Sequence, residues 1–149
     1  MAEIVCAAFI DNGRVLLVRR AAHRKWSANK WDLVGGHVEK GEELDVALVR
    51  ECQEEVGLTP RAFDHVATLY EDDDRKRKSP FHIFRVPVWH GGTARLLGHE
   101  HSELGWFAVA DFFEAELAFN AYRKVVLPLL HTDSEVPQAA DGSDHRGQD

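Results

Sequence analysis

Between Gly36 and Leu58 the chain reads GHVEKGEELDVALVRECQEEVGL, which carries three glutamates, Glu51, Glu54 and Glu55, in i, i+3, i+4 relation. On a helix these are spatial neighbours, and like charges at that spacing repel by about 0.2–0.5 kcal/mol per pair. No Lys or Arg occupies the intervening positions of that face, and Arg50 points about a quarter-turn away. The cluster therefore calls for a compensating cation. A hard divalent ion such as Mg2+ or Mn2+ takes oxygen ligands, keeps several waters and joins a few carboxylates to substrate phosphates. The alternative is an acidic helix face turned to solvent, the ordinary fate of a charge run.

The residues around the acids predict the element that presents them. Glu42, Glu43 and Asp45 suit the positive end of a helix dipole, and Gly57 suits a left-handed C-terminal cap, so a helix is predicted over 43–56. At 100° per residue, Val46, Val49, Cys52 and Val56 form the stripe expected to be buried. The acids then fall on the opposite face with Ala47 beside them. The Gly35-Gly36 pair just upstream permits backbone angles and close approaches closed to other residues.

Strands are predicted over 3–10 and 14–20, joined as a hairpin by Asp11-Asn12-Gly13. The polar stretch 21–30 reads as a covering loop, with Trp26 either part of that cover or core. Further strands are expected over 63–70, 81–89 and 105–109, with EDDDRKRKSP as a solvated hairpin loop whose basic half, Arg75 to Lys78, is surface. A last helix over 118–130 aligns Tyr122, Val125, Val126 and Leu129, and Pro128 should kink or end it. From Thr132 one Val is the only sizeable apolar side chain, too little to offset ordering entropy. The expectation is one domain over 1–131 with a disordered tail over 132–149, folded as an α+β sandwich: a mixed sheet covered by two helices.

Composition narrows the function classes. The 149 residues suit one core, and the net charge of -7 is the wrong sign for gripping a nucleic-acid backbone. No apolar run is long enough to span a membrane, and MAEIVCAAFI has no basic leader, so a cytoplasmic protein is expected. Cys6 and Cys52 sit in apolar stretches without a C-x-x-C pair and read as buried free thiols.

The acidic segment carries, in order, Gly36, Glu42, Arg50, Glu51, Glu54, Glu55 and Gly57, with apolar residues at Cys52 and Leu58. In that order and spacing the segment resembles the Nudix box. Residues 17–63, with Arg19-Arg20-Ala21-Ala22 and Ala28-Asn29-Lys30, resemble MutT-type nucleoside triphosphate pyrophosphohydrolases, and weaker likeness extends over residues 3–130. Two positions depart from the pattern. Val34 stands where proline often precedes the glycine pair, and Cys52 replaces a larger aliphatic.

The resemblance implies a Nudix-type α/β/α sandwich and metal-dependent hydrolysis of a nucleoside triphosphate, oxidised ones included, to a nucleoside monophosphate and pyrophosphate. It implies Glu51, Glu54 and Glu55 as metal ligands together with the Gly35 carbonyl and Glu100, a loop glutamate for which Glu103 competes. Glu51 or Glu54 would act as base, with Glu100 next after them, and Arg50 would orient Glu51 and neutralise part of the acidic cluster. Glu42, Gly36 and Gly57 take structural roles. Arg20 would meet a substrate phosphate or lie in solvent; Asn120 would read the base or cap a helix. His99 and His101 form a His-x-His pair, a spacing usually left without metal. ADP-ribose or a nucleotide sugar is the alternative substrate, and a non-catalytic nucleotide-binding module is the alternative class. The expected partner is a small nucleotide, not a polymer or a membrane, and a homodimer stays open.

Overall fold

In the computed structural model, residues 2–72 and 78–135 are described. The chain runs β1 (Ile4–Asp11), β2 (Arg14–Arg20), β3 (Trp31–Asp32), β4 (Val34–His37), α1 (Leu44–Val56), β5 (Thr59–Asp72), β6 (Lys78–His90), β7 (His101–Phe107), α2 (Val109–Glu114) and α3 (Tyr122–Glu135).

The fold is organised by β1. Every residue from Val5 to Ile10 is buried, so both faces of this strand must be covered. Val5, Ala7 and Phe9 face the core under α1, where they meet Leu48, Cys52 and Val56. Cys6, Ala8 and Ile10 face the opposite core, which α3 closes with Tyr122, Val126 and Leu130. The strand period of two thus divides one apolar run between two cores. The result is the α+β sandwich with a mixed sheet: β6 lies parallel to β1, and the β1–β2, β1–β4 and β5–β6 pairs are antiparallel.

The β1–β2 hairpin turns at Asn12 and Gly13, both at positive φ, and stays paired only next to the turn, at Ile10↔Val15 and Asp11↔Arg14. Beyond that the strands part. β4 takes the place vacated beside β1, pairing Ile4 to Ala7 with His37 to Val34. Strand β2 turns to β3 and β7. The splay matters for function because it inserts Gly35 and Gly36 between β1 and α1.

The strands over 3–10, 14–20, 63–70 and 81–89 and the helix over 43–56 all occur, with β5 and β6 longer than expected. The strand expected over 105–109 starts earlier, at His101, and α2 begins at Val109. Three differences have physical causes. Strands β3 and β4 escape a periodicity reading because they are two and four residues long and β4 carries both glycines. The predicted last helix begins later, at Tyr122, and continues through Pro128 to Glu135, past the boundary placed at 131. The remainder of the expected tail, 136–149, and residues 73–77, which include all of the basic run Arg75 to Lys78 except Lys78, lie outside the described residues.

The third difference is the rotation of α1. Its buried residues are Ala47, Leu48, Cys52, Glu55 and Val56, while Val46 is 55% exposed. The stripe drawn through Val46 and Val49 therefore misplaces the buried face, and Ala47 and Glu55 belong to it. Gly57, at φ 73°, ends the helix as the expected left-handed cap, its N–H donating to the Gln53 carbonyl at 3.2 Å. Both cysteines are buried free thiols. Among the described residues no helix is long and apolar enough to cross a membrane.

Candidate active site

The glycine pair seats α1 against the sheet. A β-carbon on Gly35 would collide with the backbone carbonyl of Val5, and one on Gly36 would overlap the Glu51 carboxylate. Close approach, not unusual backbone angle, is what these two positions require.

Arg50 organises the acids at the helix surface. Its Nε donates to Glu42 Oε2 at 2.7 Å and its Nη2 to Glu42 Oε1 at 2.9 Å, a two-pronged pairing. Nη1 donates to Glu51 Oε2 at 2.9 Å and to Glu54 Oε1 at 3.3 Å, and Nη2 also reaches the His37 carbonyl at 3.0 Å. Arg50 therefore supplies part of the compensating charge that its position a quarter-turn away had excluded; its long side chain bends back over the acids. The Arg50 guanidinium holds the Glu42 carboxyl down at about 2, and Glu42 in turn raises the arginine pKa.

The three box glutamates are not equivalent. Glu54 is exposed, with 60% of its side chain accessible. Glu51 is half-buried, and burial raises its pKa against the opposing pull of Arg50. Glu55 is buried, accepts a hydrogen bond from the Gly35 N–H at 3.2 Å, and is pushed up to about 9, first by burial. Among the described residues this is the one hydrogen bond to its carboxylate, and Arg50 does not reach it. A buried carboxyl without a cation is costly and marks a functional position.

Glu55 opens into a cavity of about 920 Å³ that Gly35, Gly36, Glu51, Glu54 and Glu100 also line. Glu55, Glu100 and His101 each place a ligand atom within 4.8 Å of the others. This donor set of carboxylates and one imidazole, around a buried acid that lacks a cation, fits a divalent metal. Burial lowers the His101 pKa to about 4, which leaves one of its two ring nitrogens free of a proton at neutral pH. Glu103, the competitor of Glu100, pairs instead with Arg19 at 3.0 Å.

The same cavity is also lined by aromatic and polar groups. Trp26, Asp32, Leu33, Phe81 and Tyr122 line it with Arg20. Arg20 is buried: its Nη1 meets Asp32 Oδ2 at 3.3 Å, its Nε donates to the Trp26 carbonyl at 2.7 Å, and its guanidinium lies 4.7 Å from the Trp26 ring centre. The Tyr122 hydroxyl donates to Asp32 Oδ1 at 2.7 Å. Asn120 is different. It is exposed, its Oδ1 accepts from Arg123 at 2.9 Å, and it is not among the residues lining the cavity. Asp32 and Tyr122 escaped the sequence reading because a strand acid and a helix tyrosine carry no spacing signal.

The NUDIX domain profile matches residues 2–130. The chain belongs to the Nudix family. It is 34% identical over 118 residues to the CTP pyrophosphohydrolase of Escherichia coli K12, covering 79% of this chain and 84% of that protein. It is 46% identical over 66 residues to the 8-oxo-dGTP diphosphatase of the same organism, covering 44% of this chain and 50% of that one. A crystal structure of the MutT protein from Methanosarcina mazei Go1 superposes with a TM-score of 0.70 at 25% identity, over 90% of this chain and 95% of the other. The protein is thus a Nudix hydrolase, and the segment from Gly36 to Leu58 is its Nudix box.

Proposed function

We propose that this Nudix hydrolase cleaves a nucleoside triphosphate, including oxidised ones, to a nucleoside monophosphate and pyrophosphate. The observation that carries the reading is a single cavity whose lining joins two chemistries: carboxylates beside Gly35, Gly36 and α1, and aromatic rings with Asp32 and Arg20. Such a cavity suits a ligand with an anionic tail and a flat head. That two relatives are named for CTP and 8-oxo-dGTP supports a triphosphate.

The ion, Mg2+ or Mn2+, would be held by Glu51, Glu54, Glu55, Glu100 and the Gly35 carbonyl. When bound, it neutralises the phosphate oxygens. Arg50 fixes Glu51 and Glu54 in place, itself clamped by Glu42. The base that takes the proton of the attacking water is Glu51 or Glu54; Glu54 is the freer, exposed and bonded to Arg50 at the longer distance of 3.3 Å. Arg20 acts beside the aromatic rings, where it is paired with Asp32. A phosphate contact would require it to leave that partner.

The test is a panel of nucleotides with product identification. Nucleoside monophosphate plus pyrophosphate from a triphosphate is expected, and Glu54→Gln should abolish most of the turnover while leaving the melting temperature unchanged. AMP plus ribose phosphate as the preferred products, from ADP-ribose, would overturn the substrate class. Tight nucleotide binding by metal-loaded protein without turnover would make it a non-catalytic module.

A further inference from the structure

Glu100 and His101 are consecutive, yet both line the cavity and both place a ligand atom within 4.8 Å of Glu55. Successive residues of a regular strand point to opposite faces, but Glu100 lies just before β7, which begins at His101, and a local irregularity at that end of the strand lets both face the cavity. The pairing of β2 with β7 contains one. Val18↔Leu104 and Arg19↔Glu103 are followed by Arg20↔His101, which leaves Ser102 as an extra residue. A bulge of this kind bends its strand and re-aims a side chain. The next contact holds the bent segment, the Ala21 N–H donating to the Glu100 carbonyl at 3.0 Å. His99, the other half of the His-x-His pair, is exposed and is not part of the three-residue group.

We infer that His101 supplies an imidazole nitrogen to the divalent ion shared with Glu55 and Glu100, so that the site favours a first-row transition ion such as Mn2+ over Mg2+. The inference rests on the reading of these acids as a metal site. Mg2+ demands oxygen ligands, whereas imidazole is a ligand of transition ions. Glu100 also meets Arg24 at 3.6 Å, a mostly exposed pairing that a bound cation would displace at small cost.

The experiment uses the full chain with Mn2+ alone and pulsed electron paramagnetic resonance. In unaltered protein, replacing histidine nitrogen by 15N should change the nitrogen modulation on bound Mn2+ from a 14N to a 15N pattern. His101→Gln should remove the modulation and weaken Mn2+ binding by at least about tenfold, with Mg2+ binding changed less. His99→Gln should leave both as they are. Bound Mn2+ without histidine-nitrogen coupling overturns the inference and leaves the carboxylate site standing. Coupling lost in His99→Gln, or kept in folded His101→Gln, overturns it as well. Absence of saturable Mn2+ binding overturns both this inference and the metal reading beneath it. The isotope comparison needs no substitution, so ligation by nitrogen is decided even where His101→Gln does not fold.

Discussion

The Glu51 carboxylate occupies the space that a β-carbon on Gly36 would fill. One glycine therefore sets where an acid of the box lies, although the two residues belong to different elements.

Gly36→Ala should displace Glu51 and leave the core intact. The expected loss in turnover is about 100-fold, the usual cost of moving a reacting group by about 1 Å. Gly35→Ala meets the Val5 backbone, which cannot swing aside, and should cost about 1–3 kcal/mol of stability. Urea denaturation and turnover of the two variants separate these effects; equal melting curves for both would contradict the close approach at Gly35.

Glu42 ties the acid strength of the box to stability. Its carboxyl lies at about 2 in the folded protein against 4.5 for an ordinary glutamate, chiefly because of Arg50. A group with a depressed folded pKa stabilises the fold above its unfolded value and loses that contribution as pH falls through the folded one. Glu42→Gln should thus be less stable than the unaltered protein at pH 7, with the gap closing between about pH 4.5 and pH 2. Chemical denaturation across that range measures it, and a gap unchanged at low pH would disprove the pairing.

Glu55 stands on the opposite side of the same balance. As a buried acid without a cation it weakens the metal-free fold, so Glu55→Gln should raise metal-free stability by about 0.5–2 kcal/mol while losing metal binding and turnover. Thermal melts with and without Mn2+ test it. A variant that is destabilised and still responds to Mn2+ would refute the assignment.

The rotation of α1 is tested by two substitutions. Leu48 is fully buried, and Leu48→Ala should cost about 2–5 kcal/mol. Val46 is 55% exposed, and Val46→Asp should change stability by less than about 0.5 kcal/mol. A large loss at Val46 would restore the stripe drawn from periodicity.

Much of the molecule is legible along the chain because it depends on local rules. The apolar runs within Ile4–Asp11 and Arg14–Arg20 and the Asn12-Gly13 turn mark the hairpin, and Gly57 marks the end of α1. The i, i+3, i+4 glutamates and the glycine pair mark the box. The short strands β3 and β4 were not legible, since their conformation comes from pairing with β2 and β1, not from their own residues.

The residue types and spacing of the box are what the amino-acid order alone determined: which acids, on which helix, and that they call for positive charge. Which acid is buried was decided by the packing of α1 on β4 and β1, because a helix can turn about its axis without changing a single spacing. That packing buries Glu55, exposes Glu54, and lets Arg50 reach Glu51 but not Glu55. The arrival of Glu100 and His101 at the start of β7, and the meeting of Arg20 and Tyr122 on Asp32, likewise depend on contacts between distant segments. Such contacts form only when the two cores close, and no periodicity within one segment encodes them.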